Sequence, residues 1–122
     1  MARRAKTLPA VFYQTARGAE PVREWLKELD DEDRKTIGTD IATLEFSWPV
    51  GLPTCRPIAS RRGLWEIRSN LKGNRIARIL FCIAAQRMVL LHGFVKKTQK
   101  TPDKDLDLAV RRMKEVMNND ET

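Results

Sequence analysis

The pattern of apolar and polar residues between positions 63 and 102 predicts three β-strands, the first from alternation of the two kinds and the other two from apolar runs of mostly β-forming residues. The strand-like runs are residues 64–69, 75–83 and 88–95. Residues 69–74 connect the first two runs, and residues 84–87 connect the last two. The first connection contains Asn and Gly, which tolerate the positive φ angles of hairpin loops. Because such short connections favour antiparallel neighbours, the sequence predicts a three-stranded meander.

Three other segments place apolar residues at helical spacing. The first begins at Pro21, the second follows the acidic cluster Asp30–Asp33 and ends before Pro49, and the third begins at Thr101-Pro102. Acidic or hydroxyl residues followed by a proline are typical helix starts, and we expect the acidic cluster to be a solvated cap. With a further strand in residues 8–14, the predicted element order is β-α-α-β-β-β-α.

This order predicts an α+β fold, formed by a single domain over residues 1–122. We expect a small antiparallel sheet with the helices packed on one face and a concave face left partly open. Residues 1–7 are expected to be a loose basic tail and residues 118–122 a frayed end. Residues 48–62 are expected to be a loop, with a short extended piece at its end as an alternative. A hydrophobic content of 42% with 32% charged residues is typical of a globular chain.

The composition also limits where the protein acts and what it binds. No apolar run approaches the ~20 residues of a membrane helix, and none follows the basic start, so we expect a cytoplasmic protein. Cys55 and Cys82 lack the spacing of a metal site or a disulfide framework, and His92 is the only histidine. We therefore expect no metal, no cofactor and two reduced thiols, with Cys82 in the core.

Positive charge is concentrated in and around the predicted meander. Residues 51–104 contain twelve basic and two acidic residues, a charge of +10, whereas the whole chain has a formal net charge of +7. Several of these cations lie within or at the ends of predicted strands. A sheet that holds arginine and lysine side chains in fixed positions is suited to binding a polyanion such as a nucleic acid.

Three motifs in this region carry a resemblance to a known family. They are GLWEIR at 63–68, RILF at 78–81 and HGFVKKTQKTP at 92–102. Over residues 8–117 the chain resembles the phage-derived HigB-like branch of the RelE/ParE toxin superfamily. The resemblance implies a RelE-like fold and a role as the toxin of a type II toxin–antitoxin pair.

The resemblance leaves two classes of function open. Many members of the superfamily cut messenger RNA on the ribosome without a metal, whereas the ParE branch attacks DNA gyrase with the same fold. We expect the endonuclease, because phosphate chemistry requires fixed cations. The alternative is a non-nucleolytic toxin, such as a gyrase inhibitor, or a module that binds RNA or a protein partner.

A toxin of this kind also implies a partner protein. We expect an antitoxin, with a helix-turn-helix domain and an acidic or amphipathic segment that covers the basic surface. Contact with operator DNA is expected only through that antitoxin.

Metal-independent RNA cleavage requires a proton acceptor, a proton donor and positive charge at the phosphate. Arg68 and Arg78 lie on adjacent predicted strands and are candidate phosphate ligands, although Arg68 could instead pair with Glu66. Lys96 and Lys97 end the last strand on opposite faces. The resemblance favours Lys96 as the group that transfers a proton.

His92 shares a strand face with Phe94 and Lys96 and is a candidate acid–base group. A single histidine in an apolar strand is also compatible with a packed core residue. Phe94 is a candidate for stacking on a base, with a core position as its alternative. The candidate RNA-binding residues are Arg56, Arg61, Arg62, Lys72, Arg75, Phe94 and Lys100.

Overall fold

The computed structural model of the protein describes residues 5–49, 55–97 and 100–120, and it contains one five-stranded sheet and three helices. The elements are β1 (Ala10–Phe12), α1 (Pro21–Glu28), α2 (Asp31–Ser47), β2 (Cys55–Pro57), β3 (Trp65–Asn70), β4 (Ile76–Ala84), β5 (Arg87–Lys96) and α3 (Asp103–Asp120). These elements confirm the predicted α+β class, the meander of β3, β4 and β5, and the three helices.

The strand order in the sheet is β1-β5-β4-β3-β2. β3, β4 and β5 pair antiparallel as predicted, but β1 pairs parallel with β5, so the sheet is mixed and not purely antiparallel. Two helices lie between β1 and the meander, and a long helical connection permits parallel pairing. β2 is an edge strand within the predicted loop; its three residues are too few to show an alternating pattern.

Helices cover both faces of the sheet, so the prediction that they lie on one face is wrong. On the first face, Ile37 of α2 lies in one core cluster with Ile79 of β4. On the second face, Ala109 of α3 lies in another cluster with Leu80 and Cys82 of β4. β4 is buried on both sides along most of its length, and such a strand requires cover on both faces. The core position of Cys82 is confirmed.

The ends of the described chain are more ordered than predicted. Thr7 donates its backbone N–H to the carbonyl oxygen of Glu45 at 2.8 Å, and Lys6 pairs with the Glu45 carboxylate at 3.1 Å. The rest of the predicted tail, residues 1–4, lies outside the described residues. α3 continues to Asp120, and residues 121–122 lie outside the described residues. Among the helices described, none has the length and apolar character needed to cross a membrane.

α1 approaches β5 closely at Gly93. A Cβ atom added to Gly93 would lie 2.4 Å from Cζ3 and 2.5 Å from Cε3 of Trp25. Since Cβ atoms do not make contacts this short, the missing side chain is what allows the indole ring to rest against the strand. Gly93 lies between His92 and Phe94, so this contact also supports the part of β5 that carries two candidate site residues.

Gly93→Ala is expected to lower the free energy of unfolding by about 2 kcal/mol, because the strand and the indole of Trp25 must move apart. Gly38→Ala in α2 is the matched control. An added Cβ there meets nothing within 4 Å, and alanine favours the helix, so stability should rise by up to ~1 kcal/mol. Urea unfolding followed by tryptophan fluorescence measures both. Equal effects of the two variants would show that the contact with Trp25 imposes no constraint.

Candidate functional site

Side chains that extend from β3, β4 and β5 toward the beginning of α3 form the candidate site, called the α3-side site below. Its members are Glu66, Arg68, Arg78, His92, Phe94, Lys96, Thr101 and Asp105. Arg68 lies opposite Arg78 across β3 and β4, and Arg78 lies opposite Phe94 across β4 and β5. Four of the five predicted catalytic residues, Arg68, Arg78, His92 and Lys96, therefore belong to one site.

A shift of register in β5 determines which of its side chains face α3. Leu80 pairs with His92 and Phe81 pairs with Leu90, so β5 has one extra residue, Leu91, at this point. Before the shift, the even-numbered residues Met88 and Leu90 belong to the core beneath α1 and α2. After it, the even-numbered residues face α3 instead. An irregularity of this kind redirects side chains within a strand, and here it directs His92 into the α3-side site.

Glu66 is the centre of a buried polar network. One carboxylate oxygen, Oε1, accepts a hydrogen bond from Nε of Arg68 at 2.9 Å and lies 3.9 Å from Nε of Arg56. The other, Oε2, accepts a short hydrogen bond from the hydroxyl of Thr101. That hydroxyl in turn accepts a bond from Nη1 of Arg78 at 3.0 Å. The pairing of Arg68 with Glu66, the alternative to a phosphate contact, is present in the structure.

Arg78 is fully buried, with an exposed fraction of 0%. Burial lowers the pKa of its guanidinium below the ordinary value, the positive charge of Arg68 lowers it further, and the carboxylate of Glu66 opposes both effects. Burying a cation is tolerable only where an anion or hydrogen-bond acceptor compensates for the lost water. The structural role of Arg78 is therefore larger than the sequence predicted.

A second polar cluster surrounds Asp105. Nε2 of His92 lies 2.7 Å from Oδ1 of Asp105, and Nζ of Lys96 lies 3.5 Å from Oδ2. Phe94 fills the space beside them: its ring centroid is 5.3 Å from that of His92 and 5.6 Å from Nζ of Lys96. Phe94 is buried in the core beneath α3, which favours its predicted alternative, a core position.

Three of the predicted site residues lie away from this site. Arg75 donates to both oxygens of Asp33 at 2.8 and 3.0 Å, and Lys72 pairs with Glu32 at 3.0 Å. Lys97 is exposed and lines, together with Arg75, a cavity of about 360 Å³ near the turn between β3 and β4. Asp33 is itself buried, so the acidic cluster at the start of α2 holds this turn and is not merely a solvated cap.

The remaining predicted cations lie outside the buried part of the α3-side site. Arg61 pairs with Asp107 at 3.0 Å and with Asp103 at 3.7 Å, so it contacts the exposed side of α3. Arg56, Arg62 and Lys100 are exposed. Arg56 borders the site, since its Nε lies 3.9 Å from Oε1 of Glu66, and Lys100 directly precedes Thr101 in the chain.

The sequence did not reveal the anionic half of the site. Thr101 was predicted only as a helix cap, Asp105 was not singled out, and Glu66 was considered only as a partner of Arg68. The spacing of Thr101 and Asp105, four residues, does indicate that they lie one helical turn apart. What the spacing could not show is that both face the sheet. In the described part of the chain, no group of three or more acidic, cysteine or histidine side chains is arranged to hold a metal ion.

A mixed sheet with a helical pair on one face and a third helix over a basic and acidic site on the other is consistent with the RelE-like fold. Residues 24–114 match the family model of phage-derived Gp49-like proteins (DUF891), and the chain belongs to this family, which is part of the RelE/ParE-like toxin superfamily. No curated protein matches the chain. Every residue of the α3-side site lies within the matched segment.

Glu66→Gln is expected to lower the free energy of unfolding by about 3 kcal/mol, because it removes the anion that compensates for buried arginine charge. Glu24→Gln is the matched control, since Glu24 is an exposed acid paired with Lys27 at 3.8 Å, and its loss should change stability by less than ~0.5 kcal/mol. Chemical denaturation measures both. If Glu66→Gln were as mild as Glu24→Gln, the network would not be what stabilises the start of α3.

Proposed function

We propose that this protein is the toxin of a type II toxin–antitoxin pair, of the HigB-like kind, and that it cuts messenger RNA on the ribosome. Membership of the Gp49-like family supports the role of a toxin. The observation that supports cleavage is the presence of His92, Lys96 and Arg68 in one site, because these three side chains can supply the proton acceptor, the proton donor and the phosphate ligand. The protein acts in the cytoplasm, where its substrate is.

In the proposed reaction, His92 accepts the proton of the ribose 2′-hydroxyl. The 2′ oxygen attacks phosphorus, and the bond from phosphorus to the 5′ oxygen of the next nucleotide breaks. Lys96 gives its proton to that 5′ oxygen, which leaves a 2′,3′-cyclic phosphate and a 5′-hydroxyl end. Histidine gains one proton and lysine loses one, so the protons balance.

Arg68 and Arg78 have different roles in this scheme. The side chain of Arg68 is 19% exposed, so we assign the contact with the phosphate to Arg68. Arg78 is fully buried and contributes positive charge from beneath. The exposed cations Arg56 and Lys100 at the border of the site, together with the exposed Arg62, bind the RNA backbone on either side of the cleaved bond.

One observation favours the second candidate, a non-nucleolytic toxin or binding module. The carboxylates of Glu66 and Asp105 pair with the cations of the site, and paired charges of this kind also occur for purely structural reasons. A toxin that acts on gyrase would need no acid–base group at His92. The two candidate functions can be distinguished, because an mRNA endonuclease would stop protein synthesis first and a gyrase inhibitor would stop DNA synthesis first.

Induction of the chain in bacteria without an antitoxin is expected to stop methionine incorporation before thymidine incorporation, because translation is the target. Pulse labelling with the two precursors measures this. Lys96→Ala should relieve the arrest, whereas Lys97→Ala, which removes the same charge one residue away but outside the α3-side site, should not. Loss of thymidine incorporation first would point to gyrase, and equal relief by both lysine variants would contradict the assigned proton donor.

The antitoxin in this proposal is a helix-turn-helix protein that covers the α3-side site with an acidic or amphipathic segment. Arg56 lies at the border of the site and is exposed, so it is available to meet such a segment. Arg61 is already paired with two acids of α3 and contributes less. Operator DNA is contacted only by the antitoxin.

A further inference from the structure

The bond between His92 and Asp105 involves one particular ring nitrogen. Nε2 of His92 is 2.7 Å from Oδ1 of Asp105, and the side chains of the two residues are only 17% and 12% exposed. A carboxylate has no hydrogen to donate, so Nε2 must carry the proton in this bond. In the neutral ring, Nδ1 then keeps its lone pair.

We propose that Asp105 is a positioning residue: it fixes the Nε2-protonated tautomer of His92 and so makes Nδ1 the proton-accepting atom of the α3-side site. The inference rests on the proposed function, in which that atom takes the proton of the ribose 2′-hydroxyl. Asp105 itself does not contact the substrate, and it acts through the orientation and tautomer of the imidazole.

The position of Asp105 is restrained from two directions. Its Oδ2 atom lies 3.5 Å from Nζ of Lys96, so each carboxylate oxygen has its own partner and rotation of the group would break a contact. The backbone of Asp105 is held as well, since its N–H donates to the carbonyl of Pro102 at 3.1 Å. One helical turn earlier, Thr101 is bonded to Glu66 and Arg78 of the sheet.

His92 and Lys96 receive matching support from β5. The ring of Phe94 lies beside both side chains and fills the space between them. On the opposite face of the strand, the indole of Trp25 occupies the position that a side chain at Gly93 would take. The imidazole is therefore fixed by its carboxylate partner, by an aromatic neighbour and by a strand that is held from behind.

The tautomer can be measured directly because His92 is the only histidine in the chain. Long-range proton–nitrogen NMR spectra of the imidazole, recorded where the ring is neutral, should show the proton on Nε2 and a slowly exchanging Nε2–H signal. Asp105→Asn should give a mixture of tautomers and lose the slow exchange of the ring proton. Asp105→Glu should restore part of the preference for the Nε2-protonated tautomer and part of the slow exchange. Lys96→Met, which leaves the His92–Asp105 bond in place, should keep the wild-type pattern.

Asp103→Asn is the matched control. Asp103 is the other acid in the first turn of α3, and it pairs only distantly with Arg61, at 3.7 Å. Either substitution removes one negative charge from the positive end of the helix dipole, so a general effect on α3 would appear in both variants. Circular dichroism and thermal unfolding check that each variant is folded.

Ribosome-dependent cleavage of messenger RNA provides the second readout. Asp105→Asn should slow cleavage about 10- to 100-fold, the size of effect that loss of the carboxylate partner of a histidine has at metal sites, whereas Asp103→Asn should not. Wild-type His92 protonated on Nδ1, or an Asp105→Asn spectrum identical to that of Asp103→Asn, would overturn the assignment. The assignment would also be overturned if Asp105→Asn changed the tautomer of His92 but cleaved RNA at the wild-type rate. If the wild type cleaved no RNA, the proposed function would fail while the spectra still decided the tautomer.

Discussion

The burial of Glu66 is the constraint on which the arrangement of the site depends. A carboxylate with no exposed surface requires positive charge and hydrogen-bond donors around it, and Arg68 and the hydroxyl of Thr101 supply them. Thr101 belongs to the segment that enters α3, so satisfying Glu66 places the start of that helix on the sheet. The same placement brings Asp105 to His92 and Lys96. The burial of Glu66 therefore accounts both for the structural network and for the position of Asp105 beside the candidate acid–base group His92.

The arrangement of the site also requires that the polar residues of β5 point to the face of the sheet that α3 covers. The extra residue at Leu91 changes the face to which even-numbered side chains point, so Met88 and Leu90 belong to the core beneath α1 and α2 whereas His92 faces α3. Gly93 allows Trp25 to support the strand from behind. A candidate acid–base residue thus lies on a strand held from both sides, and reacting groups are positioned more accurately on such elements than on loops.

Local patterns in the sequence predicted most elements and five of the eight members of the α3-side site. Alternation placed His92 and Lys96 on one face and Lys97 on the other, and helix-start residues indicated α1, α2 and α3. The pairs Glu66–Thr101 and Arg75–Asp33 could not be predicted, because their members are 35 and 42 positions apart and meet only in the folded chain. Helices on both faces were indicated by one overlooked signal: apart from Arg78, β4 is a run of apolar residues, which a sheet with one solvated face would not need.

The pairing of cations with carboxylates changes how a basic protein would bind RNA. The region 51–104 carries a charge of +10, yet in the α3-side site the anions Glu66 and Asp105 lie among the cations. A phosphate entering there meets negative as well as positive charge, so the site itself contributes little to affinity. In the proposed function, attraction would come from exposed cations at its border, such as Arg56 and Lys100, and their contribution would weaken as salt rises. In the proposed function, affinity and chemistry therefore belong to different side chains: the cations at the border would hold the RNA backbone, and the paired cluster of His92, Lys96 and Asp105 would hold the proton-transfer groups in position.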